Sequence, residues 1–294
     1  MSDQLTVSVI GAGTMGQGIA HVSAMAGNDV VIRDIDDDLI QQGLDAIESN
    51  LQDGVERGKV DAGEKATTLD RISGMTSLES AVADADLVIE AIPEQMELKK
   101  ETFEQVDEHA QANAILATNT SSLSVTELAS TLDDPGRMLG LHFFKPSHIM
   151  PIVEIIRAEQ TRDETHDAGE SYVDSTGKTA VTIEDYPGFA SSRLGAMLSN
   201  EALRMLEEGV ASAEDIDTTM RLGYNHSMGP IETVDHTGVD VNVEVMEYLR
   251  QELGERFKPP QILKQKMRAG KLGRKTGEGF YVWEDGEIVE ESDH

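Results

Sequence analysis

Hydrophobic and polar positions along the first two thirds of the chain predict strands that alternate with helices. Short apolar runs, rich in β-branched residues, end at glycine or polar residues and are followed by stretches with helical spacing. The predicted strands cover residues 5–10, 30–32, 87–92, 114–117, 138–144, 152–157 and 179–183. The predicted helices lie near residues 17–26, 36–51, 96–110, 124–131 and 163–176. Such alternation is typical of an open, largely parallel sheet.

The pattern changes near residue 185, where strand signals vanish and helical spacing dominates. The helices predicted beyond this point cover residues 191–208, 213–222, 229–235, 239–253 and 260–269. The acidic end, 284–294, is expected to fray. We therefore predict two domains, one over residues 1–185 and a second, all-α domain over 186–294.

A glycine turn joins the first predicted strand to the first helix. Gly11, Gly13 and Gly16 form a G-x-G-x-x-G pattern, in which the glycines permit a tight turn, close approach of a pyrophosphate and packing of the helix on the strand. Asp34 ends the second strand, at roughly the 20-residue spacing of a carboxylate that bonds the adenosine ribose. The context predicts a Rossmann-type, doubly wound NAD-binding domain. A turn that binds nothing, or a surface carboxylate at Asp34, is the alternative.

Charge excludes several classes of partner. The 294 residues include 55 Asp and Glu but 24 Lys and Arg, for a formal net charge of -31. This charge would repel nucleic acid and anionic membranes, and it suggests adaptation to concentrated salt, where self-repulsion is screened. An acidic protein without salt adaptation is the alternative.

Other motifs bear on location and metal chemistry. Apolar runs are shorter than the roughly 20 residues of a membrane span, and the beginning of the sequence has no secretory pattern, so a cytoplasmic protein is expected. Cysteine is absent, and the eight histidines show no metal-binding spacing. We expect no metal site.

One histidine stands out as a candidate base. His142 lies at the end of an apolar strand, where ligands bind in open α/β sheets. Glu154 lies inside the next apolar strand, where an unpaired carboxylate would be costly. A pair between the two would satisfy Glu154, fix the imidazole tautomer and favour the imidazolium. A buried histidine with a structural role is the alternative.

The sequence as a whole resembles the L-3-hydroxyacyl-CoA dehydrogenase family, which includes 3-hydroxybutyryl-CoA dehydrogenases. The resemblance covers nearly the whole chain. It rests on the following segments, in this order: VIGAGTMG at 9–16, IEAIPE at 89–94, NTSSL at 119–123, LHFF at 141–144, VEII at 153–156, PGF at 187–189, MGP at 228–230 and KTGEGFY at 275–281.

The resemblance implies roles for several residues. His142 would be the catalytic base, Glu154 its orienting partner and Ser121 a donor to the substrate oxygen. Glu94 and Lys99 would contact the nicotinamide half of NAD, and Lys275 would make another cofactor contact. Without the family, Ser121 and Glu94 could simply belong to helix starts and Lys99 could be a solvated cation.

The substrate pocket implied by the family contains two departures. Lys145 and Ser192 stand where the family has Asn, while Asn50 and Arg57 lie in the region that holds CoA. The family also implies a homodimer formed by the helical domain. We expect reversible oxidation of an L-3-hydroxyacyl-CoA; the alternatives are a dehydrogenase of a free 3-hydroxy acid, with Lys145 pairing the carboxylate, and a non-catalytic NAD-binding protein.

Overall fold

Two compact units make up the chain, and the computed structural model describes residues 4–292. The units are Met1–Tyr186 and Pro187–His294, so the division falls one residue after the boundary expected from the sequence. Each unit has its own cluster of buried apolar side chains.

The first unit is built on one sheet. Its strands are β1 (Thr6–Ile10), β2 (Asp29–Arg33), β3 (Ile72–Met75), β4 (Leu87–Glu90), β5 (Ile115–Thr118), β6 (Met138–Phe143), β7 (Ile152–Arg157) and β8 (Thr179–Glu184). They are arranged in the order β3-β2-β1-β4-β5-β6-β7-β8. Neighbouring strands are parallel except β6 and β7, which are antiparallel. The carboxyl ends of β1, β4, β5 and β6 therefore share one edge.

Helices connect these strands. They are α1 (Thr14–Met25), α2 (Asp37–Glu56), α3 (Ala62–Asp70), α4 (Leu78–Val82), α5 (Met96–His109), α6 (Val125–Ala129) and α7 (Asp163–Ser175). Asp36 caps α2 by accepting from the Asp38 amide, and Asp61 with Glu64 forms a capping box on α3. The inner strands are apolar on both faces because helices cover the sheet, as β4 and β6 show by being buried along their whole length.

The second unit is helical. Its helices are α8 (Ser191–Glu207), α9 (Ala213–Tyr224), α10 (Pro230–Thr237), α11 (Val239–Leu253) and α12 (Gln261–Arg268). They bury Leu203, Val234, Met246 and Leu263 in a common core. An antiparallel hairpin of β9 (Tyr281–Glu284) and β10 (Glu287–Glu291) packs Trp283 on the same core.

The predicted fold class, a doubly wound sheet followed by a helical domain, is confirmed. The expectation of no strand after residue 186 is wrong, because β9 and β10 form a hairpin there. For the same reason the frayed end expected over 284–294 is wrong as far as Ser292; the last two residues lie outside the described part of the chain. The hairpin turns at Asp285 and Gly286, both with positive φ, a geometry that an Asp-Gly pair adopts readily.

Candidate active site

The three glycines of the turn after β1 have different roles. Gly11 has φ +109°, and a Cβ there would lie 2.6 Å from the Ala91 carbonyl oxygen. A Cβ on Gly16 would lie 1.7 Å from the Gly11 carbonyl oxygen. Gly13, by contrast, has nothing within 4 Å of where its Cβ would be, and it begins α1 without a side-chain cap. Two glycines are therefore required by packing, while the third leaves space in front of the helix amides, which is the arrangement that a phosphate needs.

A pocket of about 850 Å³ opens at this turn. Asp34 lies in its wall, where its carboxylate accepts from the Ala12 and Ile35 amides, each at 2.7 Å. The exposed apolar side chains Ile35, Leu39 and Leu98 also line it. A phosphate-sized gap, a fixed carboxylate and apolar walls together fit the phosphates, ribose and adenine of a dinucleotide.

His142 and Glu154 form a buried pair across the β6–β7 ladder. They are direct register partners, and His142 Nδ1 lies 2.8 Å from Glu154 Oε2. The two residues are 7% and 3% exposed, so a carboxylate without this partner would be costly. The ring of Phe144 lies beside the imidazole, with centroids 5.0 Å apart. The pair expected from the sequence is thus present in the geometry.

Ser121 belongs to the turn that follows β5, at the same edge of the sheet. Its amide donates to Glu94 Oε1 at 2.9 Å. Nearby, Asn119 Oδ1 accepts from the Phe143 amide at 2.9 Å, which ties the end of β5 to the strand that carries His142. The Ser121 turn and the end of β6 are therefore held together by backbone and side-chain bonds.

Glu94 and Lys99 belong to a cluster at the end of β4. Lys99 is 1% exposed and its ammonium contacts both Glu90, at 2.6 Å, and Glu94, at 3.3 Å. Glu94 keeps 39% of its side chain exposed. The alternative in which Lys99 is a solvated cation is wrong, since the side chain is buried with two carboxylates around it.

The remaining predicted residues are placed elsewhere. Asn50 is half-buried on α2, and Arg57 is exposed at the C-terminal end of that helix, beyond Ala46, the last residue of α2 that lines the pocket. Lys145 is exposed, two residues after β6. Ser192 lies in the first turn of α8, and Lys275 pairs with Asp240 at 2.6 Å within the second unit.

Sequence reasoning gave no role to Glu90 or Thr120. Glu90 is fully buried at the end of an apolar strand, the same signal that singled out Glu154, so it could have been found. Thr120 had no such signal, because its role depends on the fold that brings its hydroxyl to within 2.5 Å of Glu94 Oε1.

His166, Asp167 and Glu170 on α7 have ligand atoms within 4.8 Å of one another, but exposed acidic groups often cluster in this way without an ion.

Among residues 4–292, no helix has the length and apolar character that a membrane span requires.

Comparisons with known proteins agree over nearly the whole chain. Residues 6–186 match the sequence model of a family described as "3-hydroxyacyl-CoA dehydrogenase, NAD binding domain", and residues 188–283 match its C-terminal domain. The chain is 43% identical over 277 residues to a probable 3-hydroxybutyryl-CoA dehydrogenase of Deinococcus radiodurans, covering 94% of this chain and 99% of the relative.

Two further relatives show the same likeness. A probable 3-hydroxybutyryl-CoA dehydrogenase of Bacillus subtilis is 41% identical over 280 residues, covering 95% of this chain and 97% of the relative. The crystal structure of (S)-3-hydroxybutyryl-CoA dehydrogenase from Ralstonia eutropha superposes with a TM-score of 0.93 at 40% identity, covering 96% of this chain and all of that one (100%).

Proposed function

The chain belongs to the 3-hydroxyacyl-CoA dehydrogenase family and is an NAD-dependent oxidoreductase of 3-hydroxyacyl-CoA, and on this premise we propose that His142 is its catalytic base and Glu154 orients that base. The resemblance drawn from the sequence motifs is confirmed. The observation that carries the proposal is the buried 2.8 Å contact between His142 Nδ1 and Glu154 Oε2, near the end of β6 at the same edge of the sheet as the glycine turn after β1.

In this mechanism the two ring nitrogens have separate tasks. Nδ1 is engaged by Glu154, so the proton of the 3-hydroxyl is taken at Nε2. The Glu154 carboxylate stabilises the imidazolium that results, and in the reverse direction this imidazolium returns the proton to the forming alkoxide. Bound NAD supplies the acceptor for the hydride that leaves the carbon bearing the hydroxyl.

The cofactor is assigned to the pocket beside the glycine turn. Gly11, Gly13 and Gly16 shape the turn that receives the pyrophosphate, while Asp34 bonds the adenosine ribose and disfavours a 2′-phosphate. By the family resemblance, Glu94 would face the nicotinamide half of NAD, and Lys275 would be a further cofactor contact.

The substrate is proposed to be an L-3-hydroxyacyl-CoA with a short acyl chain, as in the names of the relatives. Ser121 donates to the substrate oxygen, and Lys145 and Ser192 occupy the positions where the family has Asn. Asn50 and Arg57 contact CoA. The guanidinium of Arg57 pairs with the CoA phosphates on an otherwise acidic surface.

A second candidate is the oxidation of a free 3-hydroxy acid. The exposed ammonium of Lys145, just beyond the strand of His142, favours it because a cation there can pair a carboxylate. A panel of acetoacetyl-CoA, acetoacetate and a longer 3-ketoacyl-CoA separates the two. Turnover of thioesters alone supports the first candidate, and turnover of free acids alone supports the second.

We also propose that the protein is a cytoplasmic, salt-adapted homodimer. The second unit exposes Leu194, Leu222 and Tyr224, which are 72%, 83% and 72% accessible and would be covered by a second copy. Light scattering in molar KCl should give twice the mass of the chain, and a monomer would contradict the dimer.

Thermal unfolding at increasing KCl concentration tests the salt adaptation. A midpoint temperature that does not rise with the KCl concentration would contradict it.

The decisive test of the catalytic proposal is His142→Gln. The variant should lose nearly all oxidation of NADH by acetoacetyl-CoA, by about 10²-fold to 10⁴-fold, because Gln cannot transfer the proton. Its affinity for NADH should not change, since His142 does not line the dinucleotide pocket. His166→Gln is the matched control, because that histidine lies on α7 and contacts Thr182. Retained turnover in His142→Gln would contradict the assignment.

A further inference from the structure

We infer that Glu90 is a positioning residue for the nicotinamide half of the cofactor and that it acts through a buried chain, Glu90–Lys99–Glu94. The inference rests on the proposed cofactor site and deepens it. It also adds a role for Lys99, whose ammonium holds Glu94 in place. The three side chains lead outward from the sheet, from the fully buried Glu90 to the partly exposed Glu94.

Glu90 is the inner end of the chain. It is 0% exposed at the carboxyl end of β4, and each of its carboxylate oxygens is engaged. Oε1 accepts from Lys99 Nζ at 2.6 Å and from the Ile92 amide at 2.7 Å, and Oε2 accepts from the Thr118 hydroxyl at 2.7 Å. Burial raises the pKa of Glu90, while the Lys99 ammonium opposes that rise. The pair is therefore needed to keep a charge at this depth.

Lys99 is the middle of the chain, and its position limits what it can do. The ammonium has three donors. They have three acceptors in reach: Glu90 Oε1 at 2.6 Å, the Ile92 carbonyl at 3.3 Å and Glu94 Oε2 at 3.3 Å. The Lys99 side chain is 1% exposed, and of its three contacts only the one with Glu94 reaches a side chain that is partly exposed. Lys99 therefore acts on the site through the attraction between its charge and that of Glu94.

Glu94 is the outer end, and it joins the chain to the Ser121 turn. Its Oε1 accepts from the Thr120 hydroxyl at 2.5 Å and from the Ser121 and Ser122 amides at 2.9 and 3.2 Å. Its Oε2 is held by Lys99, and the side chain is 39% exposed. Glu94 is thus the member of the chain that can accept a hydrogen bond from a ribose hydroxyl. Its carboxylate is oriented by Lys99 at Oε2 and by the Ser121 turn at Oε1.

Removal of the inner charge should disturb the outer end. Glu90→Gln keeps the shape and an acceptor for the Ile92 amide, and the Thr118 hydroxyl can accept from the new amide instead of donating. Lys99 then has one counter-charge instead of two, so its ammonium is drawn toward Glu94. Glu94 moves away from the position that suits both the turn and the ribose, and the loss falls on the nicotinamide half of the ligand.

The test compares two ligands that share the adenosine end. The dissociation constant of NADH is measured by its own fluorescence, and that of ADP by competition with NADH, both in molar KCl. For Glu90→Gln we expect NADH to bind about tenfold more weakly, because the displaced Glu94 carboxylate loses its hydrogen bond with the ribose of the nicotinamide half. ADP should bind as in the wild type. If Glu90 only supported the sheet, its replacement would disturb the next residues, Ala91 and Ile92, which line the pocket beside the glycine turn. NADH and ADP would then be weakened equally. Equal weakening, or no change for NADH, would overturn the inference.

Two further variants control the result. Asp107→Asn breaks another buried ion pair of α5, with Arg137, and should leave the ratio of the two constants unchanged. The double variant Glu90→Gln/Lys99→Met leaves neither charge of that pair unpartnered in the interior, so it guards against a Glu90→Gln chain that does not fold. If Glu90 acts through Lys99, the double variant and Lys99→Met should show the same ratio; a larger loss in the double variant would overturn the inference.

These measurements separate two kinds of failure. A wild-type protein that binds neither NADH nor ADP would contradict the proposed cofactor site and, with it, the inference. A wild-type protein that binds both, together with a Glu90→Gln variant of unchanged ratio, would contradict only the role of Glu90.

Discussion

The two units of the molecule bury carboxylates in different ways. In the first unit, Glu90 and Glu154 each face an ionisable side chain, Lys99 or His142. In the second unit, Asp217 and Asp235 accept hydrogen bonds from neutral donors. Those donors are the Ile231 and Glu232 amides and the Tyr281 hydroxyl for Asp217, and the Phe280 and Tyr281 amides and the Trp283 indole for Asp235.

The difference concerns what each carboxylate can do. A carboxylate beside an ionisable group can change the charge or the direction of that group, which is useful where protons or charged ligands are handled. A carboxylate surrounded by amide, phenol and indole donors fixes backbone segments to one another. In this protein the first kind lies at the end of the sheet that carries the candidate site, and the second kind joins α9 and α10 to the hairpin.

The largest effect is expected for Glu154→Gln. Turnover with acetoacetyl-CoA should fall by about 10²-fold to 10⁴-fold, because the imidazolium of His142 loses its counter-charge while the amide keeps the shape. Steady-state kinetics in molar KCl measure it, with NADH affinity as the control. A fall of less than about tenfold would show that the pair is structural and would remove the distinction between the two units.

The counterpart in the second unit is Asp235→Asn. The amide cannot accept all three hydrogen bonds, so one donor is left unsatisfied, which costs about 1–3 kcal/mol in the free energy of unfolding. Trp283, the one tryptophan of the sequence, donates to Asp235, so its fluorescence during denaturation reports on this unit directly. The turnover of the folded variant should stay near that of the wild type; a loss of turnover without a loss of stability would contradict the structural role.

Acid should act in opposite directions on His21 of the first unit and on Asp217 and Asp235 of the second. Burial, with His148 and Lys178 nearby, lowers the pKa of His21 to about 4, so its contribution to stability is present above its ordinary pKa and is lost as the pH falls from 6.5 toward 4. Burial raises the pKa of Asp217 and Asp235, so their contribution is fully present below their ordinary pKa and is lost as the pH rises through the raised values.

The variant His21→Phe isolates the first of these effects. The ring nitrogens of His21 have no hydrogen-bond partner, and the ring stacks on His148 with centroids 5.2 Å apart, so Phe keeps the packing and loses no bond. Between pH 6.5 and 4 the free energy of unfolding of the wild type should fall by up to about 1.4 kcal/mol per pH unit more than that of the variant. Hydrogen exchange of the amides of β4, a fully buried strand of the first unit, measures the free energy of unfolding of that unit. Equal pH dependence in the two proteins would contradict the role given to His21.

The smallest effect is expected for the ion pair of Lys275 and Asp240. The two side chains are 47% and 33% exposed, so Lys275→Met should change the free energy of unfolding by about 0–1 kcal/mol. If Lys275 is also a cofactor contact, the affinity for NADH should fall by a larger factor than the stability change explains. Denaturation and NADH titration on the same variant compare the two, and unchanged NADH affinity would contradict the cofactor role.

The elements that the sequence predicted well are those whose apolar runs are buried. Strand β7 was predicted with its observed bounds, and the helix over 239–253 also matches. Strand β3, with the sequence Ile-Ser-Gly-Met, was missed because it is an edge strand whose middle residues are exposed. It lacks the periodicity on which the prediction depends. The short helix α4 was missed although its buried residues Leu78, Ala81 and Val82 have helical spacing.

The hairpin of β9 and β10 and the contacts of Thr120 and Asn119 were missed for different reasons. In β10 three of the five residues are glutamates and a bulge between Ile288 and Glu290 interrupts the alternation, so no strand pattern stood out, although the Asp-Gly pair at 285–286 was a visible signal for a turn. The pairing of His142 with Glu154 could be inferred because each lies in an apolar strand. The contacts of Thr120 and Asn119 could not, since they join segments brought together only by the order of the strands.

The reversal of direction between β6 and β7 has a consequence for how the chain tolerates insertions. Because His142 and Glu154 are cross-strand partners, their pairing is set by the ladder and not by the number of residues in the connection 144–151. That connection can gain or lose residues in a laboratory library while the pair stays aligned. A single residue inserted within either strand would instead turn one partner to the opposite face of the sheet.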